Sequence, residues 1–575
     1  MENQTVDRGL WSSKIGFIMA AAGSAVGLGN IWRFPYMTGM HGGAAFVLIY
    51  LVFVFLLGLP IMLNELIVGR RTQLNPVGAL KTLAPTTQWK LVGGLGVLTG
   101  FGILAFYSVI AGWTLGYIIK TIEWGFFASV AENDFSKLFN DFIQSPLQSI
   151  GYLVIFMFLT MAVVYGGVKN GIERWSKILM PILMGLLVLL IIRAVTLPGS
   201  KAGISFYLKP DFSKITGETL IEALGQAFFS LSLGMGAMVT YGSYLSKKDN
   251  LVTSGLSVCV FDTMVALLAG MAILPAVFAL GQEPSQGPNL IFVVLPAIFM
   301  KMPAGTILGP LFFFLLTIAA LTSTVSLLEV VTAYFIDERG WPRQRAVIVI
   351  GLACLVFSVL VALAWGISPG LTKLPHIQMS FFDILDILFS KYSLATGALL
   401  LALFVAWKWG IPAAKAEVIH GNQNFSSRAL VGRRLTLASI WGFLIRFFVP
   451  LAIAILIIDS LKLDENYFTI GLILDFILVE GAVIALTFYF INRQSVSFGR
   501  CLLIPFIRLL LLVILAPVLI LIPYIGYFLA FLLAVLLNYF LFRLVLEISS
   551  DKIILPLTVI TLIEVFVCVI YCFWI

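Results

Sequence analysis

A chain of 575 residues that is 60% hydrophobic and only 11% charged, with a mean hydropathy of +1.05, lies outside the range of soluble globular proteins. Its formal net charge of +8 does not mark a nucleic-acid binder, because the lysines and arginines sit in short loops between apolar runs, where membrane topology places them. Five cysteines without metal-ligand spacing, three scattered histidines, and the lack of a Walker loop or an HExxH exclude a zinc hydrolase and a self-contained ATP-driven pump.

Apolar runs of about 20 residues predict spans near 13–37, 43–68, 91–120, 148–166, 176–196, 219–245, 252–281, 306–336, 344–365, 382–409 and 436–458. The first is expected to be retained, since it is longer than a signal sequence's apolar region and no clear cleavage site follows it. Arg70 and Arg71, Lys169 with Arg174 and Lys177, Lys247 and Lys248, Arg343 with Arg345, and Arg433 with Arg434 all fall on one side with the N-terminus. The positive-inside rule makes that side cytoplasmic. Loops 121–147 and 282–305 are expected outside. After residue 458 the chain continues with apolar runs at 468–491, 501–546 (split near Pro523) and 553–575, about four further spans. Asp475, Glu480, Arg508 and Glu564 lie within them, and ionisable residues at such depth are either functional or paired with one another.

Two of these runs are interrupted. Residues 23–35, GSAVGLGNIWRFP, place three glycines, Ser24, Asn30, Arg33 and Pro35 in an apolar setting, and FFSLSLGMGAM at 228–238 repeats a Gly-x-Gly. Broken backbone at membrane depth is tolerated only where it is buried in protein or lines a cavity. Its loose ends present N–H groups to an anion and C=O groups to a cation. Corresponding breaks in two halves of a chain point to the central site of a transporter. Gly27, Leu28 and Gly29 offer amides to a carboxylate, carbonyls near Gly23, Ala25 and Val26 face a cation, and Asn30 adds a side-chain oxygen.

With GSAVGLGNIWRFP, GGAAF at 42–46 and ELIVGR at 65–70, the chain resembles the neurotransmitter:sodium symporters, particularly their bacterial amino-acid-transporting branch, over about residues 8–458. The resemblance implies an all-α polytopic membrane protein: a five-plus-five inverted-repeat core (repeats about 10–196 and 218–409) with discontinuous helices 1 and 6, and an eleventh helix. Residues 1–458 would form the symporter core and 459–575 a transmembrane extension of unassigned role. It implies one sodium at Ala25, Asn30, Ser230 and Asp262, completed by the substrate carboxylate. A second would lie at Gly23, Val26, Ala319, Thr322 and Ser323, although serine and threonine also back-bond within their own helix. The substrate would meet Ser24, Ala25, Gly27, Leu28, Gly29, Ile103, Tyr107, Phe229, Ser230, Ser232, Met235, Ser323 and Leu327. Tyr107 would bind its carboxylate and Phe229 would cover it. Ser24, Ile103, Ser232, Met235 and Leu327 would select a medium or large hydrophobic side chain.

Gly27 stands where amine-transporting members carry an aspartate, so the substrate should bring its own carboxylate. Asp262 stands where chloride-dependent members have a neutral residue, so chloride should be unnecessary; Gln226 and Tyr50 match other parts of the chloride region, while Ala266 replaces its serine. Arg33 with Asp386, or with Asp383 one turn away, matches the outer gate. Arg8 with Asp337, beside Trp11 and Tyr244, matches the inner gate, and Glu65 matches an acid that supports the unwound sixth segment. The expectation is a sodium-coupled amino-acid importer of the cell membrane, moving one or two Na⁺, with no organic cofactor, no enzymatic activity, no nucleic-acid partner, and only its small-molecule substrate and membrane lipid as partners. The alternatives are an amino-acid-binding sensor that does not transport, and a sodium-independent or proton-coupled transporter.

Overall fold

The computed structural model describes residues 10–126, 135–281, 290–301, 304–374, 379–422, 425, 429–431 and 435–460. The expected spans beyond residue 468, with Asp475, Glu480, Arg508 and Glu564, lie outside the described residues, as does Arg8. Every element below belongs to the unit formed by Met1–Thr372 and Ser380–Ser460.

In hydrocarbon the backbone must satisfy its own hydrogen bonds, and these apolar runs do so as helices. In chain order they are α1 (Lys14–Ala25), α2 (Gly29–Met40), α3 (Ala44–Thr72), α4 (Lys90–Glu123), α5 (Pro146–Tyr165) and α6 (Val168–Val195). There follow α7 (Gly217–Ser230) and α8 (Ala237–Gly242), then α9 (Leu251–Ala279), α10 (Gly305–Arg339), α11 (Arg343–Leu363), α12 (Phe381–Gly421) and α13 (Leu437–Ile457). Nine of these are long and apolar enough to cross a membrane unaided among the described residues, and α1 with α2 forms a tenth span bent by 56°. The pair α7 and α8 supplies the other interrupted segment, so each of the eleven expected spans has a counterpart. The loops expected outside also carry helices, Phe135–Gln144 and Leu290–Lys301, and a short antiparallel ribbon pairs Ala429–Val431 with Leu435–Thr436.

Local chemistry sets the helix ends. Ser13 caps α1 by accepting from the Gly16 N–H, Thr216 and Thr219 form a reciprocal capping box on α7, and Asn250 accepts from the Thr253 N–H at the start of α9. At the far ends, Gln73 after α3 and Gly340 after α10 take the left-handed conformation that stops a helix. The long helices α4 and α10 pack along each other and are the most buried of the spans. Helix α3 packs on α8, where Gly69 lets the two backbones meet: a Cβ there would collide with the Val239 carbonyl. The two broken spans thus sit against long, continuous helices, which hold them at fixed depth.

Candidate functional site

Helix α1 stops where Val26 turns extended (ψ 116°), and the chain re-enters a helix at Gly29. The freed amides are already engaged: the Gly27 N–H donates to Asn30 Oδ1 at 3.0 Å and the Leu28 N–H to the Tyr107 hydroxyl at 2.9 Å. Gly27 has no room for a side chain, since a Cβ would lie 2.6 Å from Ser323 Oγ and 2.7 Å from the Tyr107 oxygen. Across from it, α7 ends at Ser230 and the chain is unwound to Gly236, with Ser232, Gly234 and Gly236 all at positive φ (53°, 89° and 75°). A non-glycine residue at such a φ is strained and persists only where its surroundings impose it. Two of those constraints are visible. The buried Glu65 carboxylate accepts from the Gly234 N–H at 2.6 Å and the Met238 N–H at 3.1 Å, and Ser232 Oγ donates to the Ser24 carbonyl at 3.1 Å.

Between the two breaks lies a cavity with about 450 Å³ of space not filled by atoms. Its polar lining is Ser24, Gly27, Tyr107, Ser232 and Ser323, which mutual contacts bring together; Ala25, Gly29, Ile103, Phe229, Met235, Leu327 and Leu394 line the rest. Eleven of the thirteen residues expected around a substrate line it. Leu28 and Ser230 do not: the Leu28 amide is held by Tyr107, and the Ser230 hydroxyl turns away to donate to Asp262 Oδ2 at 2.7 Å. Leu394 is an addition, a leucine within an apolar run that nothing in the sequence sets apart.

Two oxygen-rich clusters flank the cavity. In the first, Asn30 Nδ2 lies 2.8 Å from Asp262 Oδ1 and 2.9 Å from Ser230 Oγ, and the Tyr50 hydroxyl donates to Ser230 Oγ at 3.3 Å. All four side chains are buried. The Asn30 donor, rather than its oxygen, faces the carboxylate, so cation binding through Oδ1 requires that amide to turn over. In the second, Ser323 Oγ is 3.1 Å from the Val26 carbonyl and 3.2 Å from the Ala319 carbonyl, and Gly23 packs on Thr322. Thr322 Oγ1 back-bonds to the Ile318 and Ala319 carbonyls at 3.2 and 3.1 Å. Both clusters offer hard oxygens and no thiol or imidazole, a donor set for an alkali cation. No group of three or more His, Cys, Asp or Glu suited to a metal occurs among the described residues.

The outer pair differs from expectation. Arg33 does not reach Asp386; its guanidinium donates to Gln226 Oε1 at 2.8 Å, forms an ion pair with Glu222 at 3.3 Å, and lies over the Phe229 ring with Cζ 5.3 Å from the centroid. Asp383 is engaged locally, accepting from the Ser380 hydroxyl at 2.7 Å as part of the cap on α12. Gln226 also donates to the Gly29 carbonyl at 2.9 Å. On the inner side Asp337 accepts from the Asn75 backbone N–H at 2.7 Å, Trp11 Nε1 donates to the Tyr241 carbonyl at 3.0 Å, and the Tyr244 hydroxyl donates to Glu329 at 2.5 Å. Ala266 is buried in α9, one turn beyond Asp262.

A profile described as the sodium:neurotransmitter symporter family matches residues 8–127 and 129–496. YhdH, an uncharacterized sodium-dependent transporter of Bacillus subtilis (strain 168), is 42% identical over 449 residues, spanning 78% of this chain and 97% of its own. The sodium- and chloride-dependent GABA transporter 2 of Homo sapiens is 27% identical over 471 residues, 71% of this chain and 74% of its own. Among solved structures, the crystal structure of MhsT in complex with L-phenylalanine aligns with a TM-score of 0.69 at 43% identity, covering 79% of this chain and 100% of that one.

Proposed function

Because the chain belongs to the sodium:neurotransmitter symporter family, and is therefore a sodium-dependent membrane transporter rather than an enzyme, we propose that it imports a hydrophobic or aromatic amino acid with Na⁺ by alternating access. The observation that carries this is the cavity itself: broken backbone and the Tyr107 hydroxyl supply its polar lining, and Ile103, Phe229, Met235, Leu327 and Leu394 supply an apolar one. A zwitterion with an apolar side chain matches both kinds of lining, and the L-phenylalanine in the MhsT complex is such a ligand.

In this mechanism the substrate carboxylate displaces Tyr107 and Asn30 from the Leu28 and Gly27 amides, and Asn30 turns its oxygen toward a sodium held by Asp262, Ser230 and the Ala25 carbonyl. Ion and substrate then depend on each other, because each completes the other's coordination. The cluster of Gly23, Val26, Ala319, Thr322 and Ser323 takes the second ion and ties α1 to α10. Asp262 supplies a fixed negative charge beside the first ion, which makes chloride unnecessary. The membrane is the cell membrane, with the N-terminus in the cytoplasm. Each Na⁺ descending a tenfold gradient and about 100 mV supplies roughly 3.7 kcal/mol, so one ion sustains accumulation of several hundredfold and two sustain about 10⁵-fold.

Uptake of labelled amino acids into proteoliposomes under an inward Na⁺ gradient, with K⁺ and chloride-free controls, tests the proposal. Sodium-dependent, chloride-independent accumulation of a hydrophobic amino acid, lost in Asn30→Ala, is the expected result. Sodium-dependent binding without accumulation would make the protein a sensor, and accumulation indifferent to Na⁺ would make it a different kind of transporter.

A further inference from the structure

The three groups that hold Arg33 are not scattered. Glu222, Gln226 and Phe229 stand at i, i+4 and i+7 of α7, which places an acid, an amide and a ring along one stripe of a single helix. The guanidinium lies along that stripe: ion pair at 3.3 Å, hydrogen bond at 2.8 Å, ring at 5.3 Å. The same Gln226 holds the Gly29 carbonyl, and Phe229 packs so closely on Gly29 that a Cβ there would lie 2.9 Å from the ring. The cradle therefore joins Arg33 to the side chain that covers the cavity. Asp386, on helix α12, forms no ion pair with Arg33, whose carboxylate partner is Glu222.

We propose that Glu222 is a positioning residue that competes with Asp386 for Arg33 and so sets how readily the outer side of the cavity closes. With the guanidinium on Glu222, Arg33 is bonded, among the described residues, only within the two broken spans, and no ion pair links it to α12. Transfer to Asp386 links the broken spans to α12 across the mouth of the cavity. The sequence carries the cradle only as a spacing, and Glu222 is not among the residues that the family resemblance singles out. Arg33 and Glu222 are both about one-third exposed (32% and 36%), so their pair is weak enough to exchange. The consequence for transport rests on the amino-acid symport proposed above; the gate itself does not.

The test uses the full-length chain in intact cells, with Leu394→Cys as a reporter in the cavity wall and a membrane-impermeant maleimide applied in Na⁺ medium; the chain without that cysteine gives the background. Adding Glu222→Gln is expected to slow labelling about three- to fivefold, the size of an exposed ion pair, and to raise substrate affinity by a similar factor. Asp386→Asn should do the reverse, and Glu222→Asp, which keeps the charge, should behave as the parent. Labelling that is unchanged or faster in Glu222→Gln would overturn the proposal. Because labelling needs no substrate, that outcome is separable from failure to find a transported amino acid.

Discussion

Glu65 offers the sharpest test of how the unwound stretch is held. Its two carboxylate oxygens each take one backbone N–H, from Gly234 at 2.6 Å and from Met238 at 3.1 Å, in a fully buried setting. Glu65→Gln keeps one acceptor but turns an NH₂ group toward the other N–H, so one charge-assisted hydrogen bond becomes a donor facing a donor. Losing such a bond while burying the orphaned donor costs about 2–3 kcal/mol. The stretch it supports carries Ser232 and Met235, which line the cavity. If the loss falls on the binding-competent form of that stretch, substrate affinity drops about 30- to 150-fold. Equilibrium binding of labelled phenylalanine to purified protein in Na⁺, with thermal unfolding alongside to detect global damage, measures it. Affinity within threefold of wild type would refute the argument that the carboxylate holds these amides in place.

Gly27→Ala should abolish binding while leaving the protein folded, because the added Cβ would lie 2.6 Å from Ser323 Oγ and 2.7 Å from the Tyr107 oxygen; binding assay and size-exclusion profile together check this. Asp262→Ser removes the fixed charge beside the first ion cluster and should make sodium-dependent uptake require chloride, which chloride replacement in the uptake assay reads directly. Arg70 is fully buried, donates from Nε to Glu417 at 2.8 Å and from another nitrogen to the Asp249 carbonyl at 2.6 Å, and also bonds the Glu417 carbonyl. Glu417→Leu strands that charge and should destabilise by about 3–5 kcal/mol, whereas Arg70→Met with Glu417→Leu should be much milder; denaturation midpoints compare them. Deleting residues 461–575 should leave sodium-dependent uptake in place if that extension is accessory.

Much of the architecture is legible in the chain, because a membrane helix must be long, apolar and internally bonded. Every one of the eleven spans that this rule predicts up to residue 458 has a structural counterpart, although the helices expected over 176–196 and 382–409 run further, from Val168 and to Gly421. The site was legible for a narrower reason. Clustered glycines weaken a helix, and Asn30 and Arg33 are costly in hydrocarbon, so the Gly-x-Gly patterns and these polar residues flag the breaks at 23–35 and 228–238 before any fold is known. Residues of ordinary type carry no such flag: Leu394 enters the cavity wall, and Glu417 meets Arg70, only through distant packing.

The sequence by itself determined that the protein spans the membrane, where its two helices break, and that hard oxygen donors gather near those breaks, since each follows from local polarity set against a hydrocarbon surrounding. Only the tertiary structure decided which partner each polar group takes. Arg33 is held by the stripe of Glu222, Gln226 and Phe229 on α7 and not by the Asp386 carboxylate on α12. Asn30 turns its amide nitrogen to Asp262 because the Gly27 N–H already claims its oxygen. Such choices depend on small differences in distance between residues that, for Asn30 and Asp262, are 232 positions apart, and no local pattern encodes them.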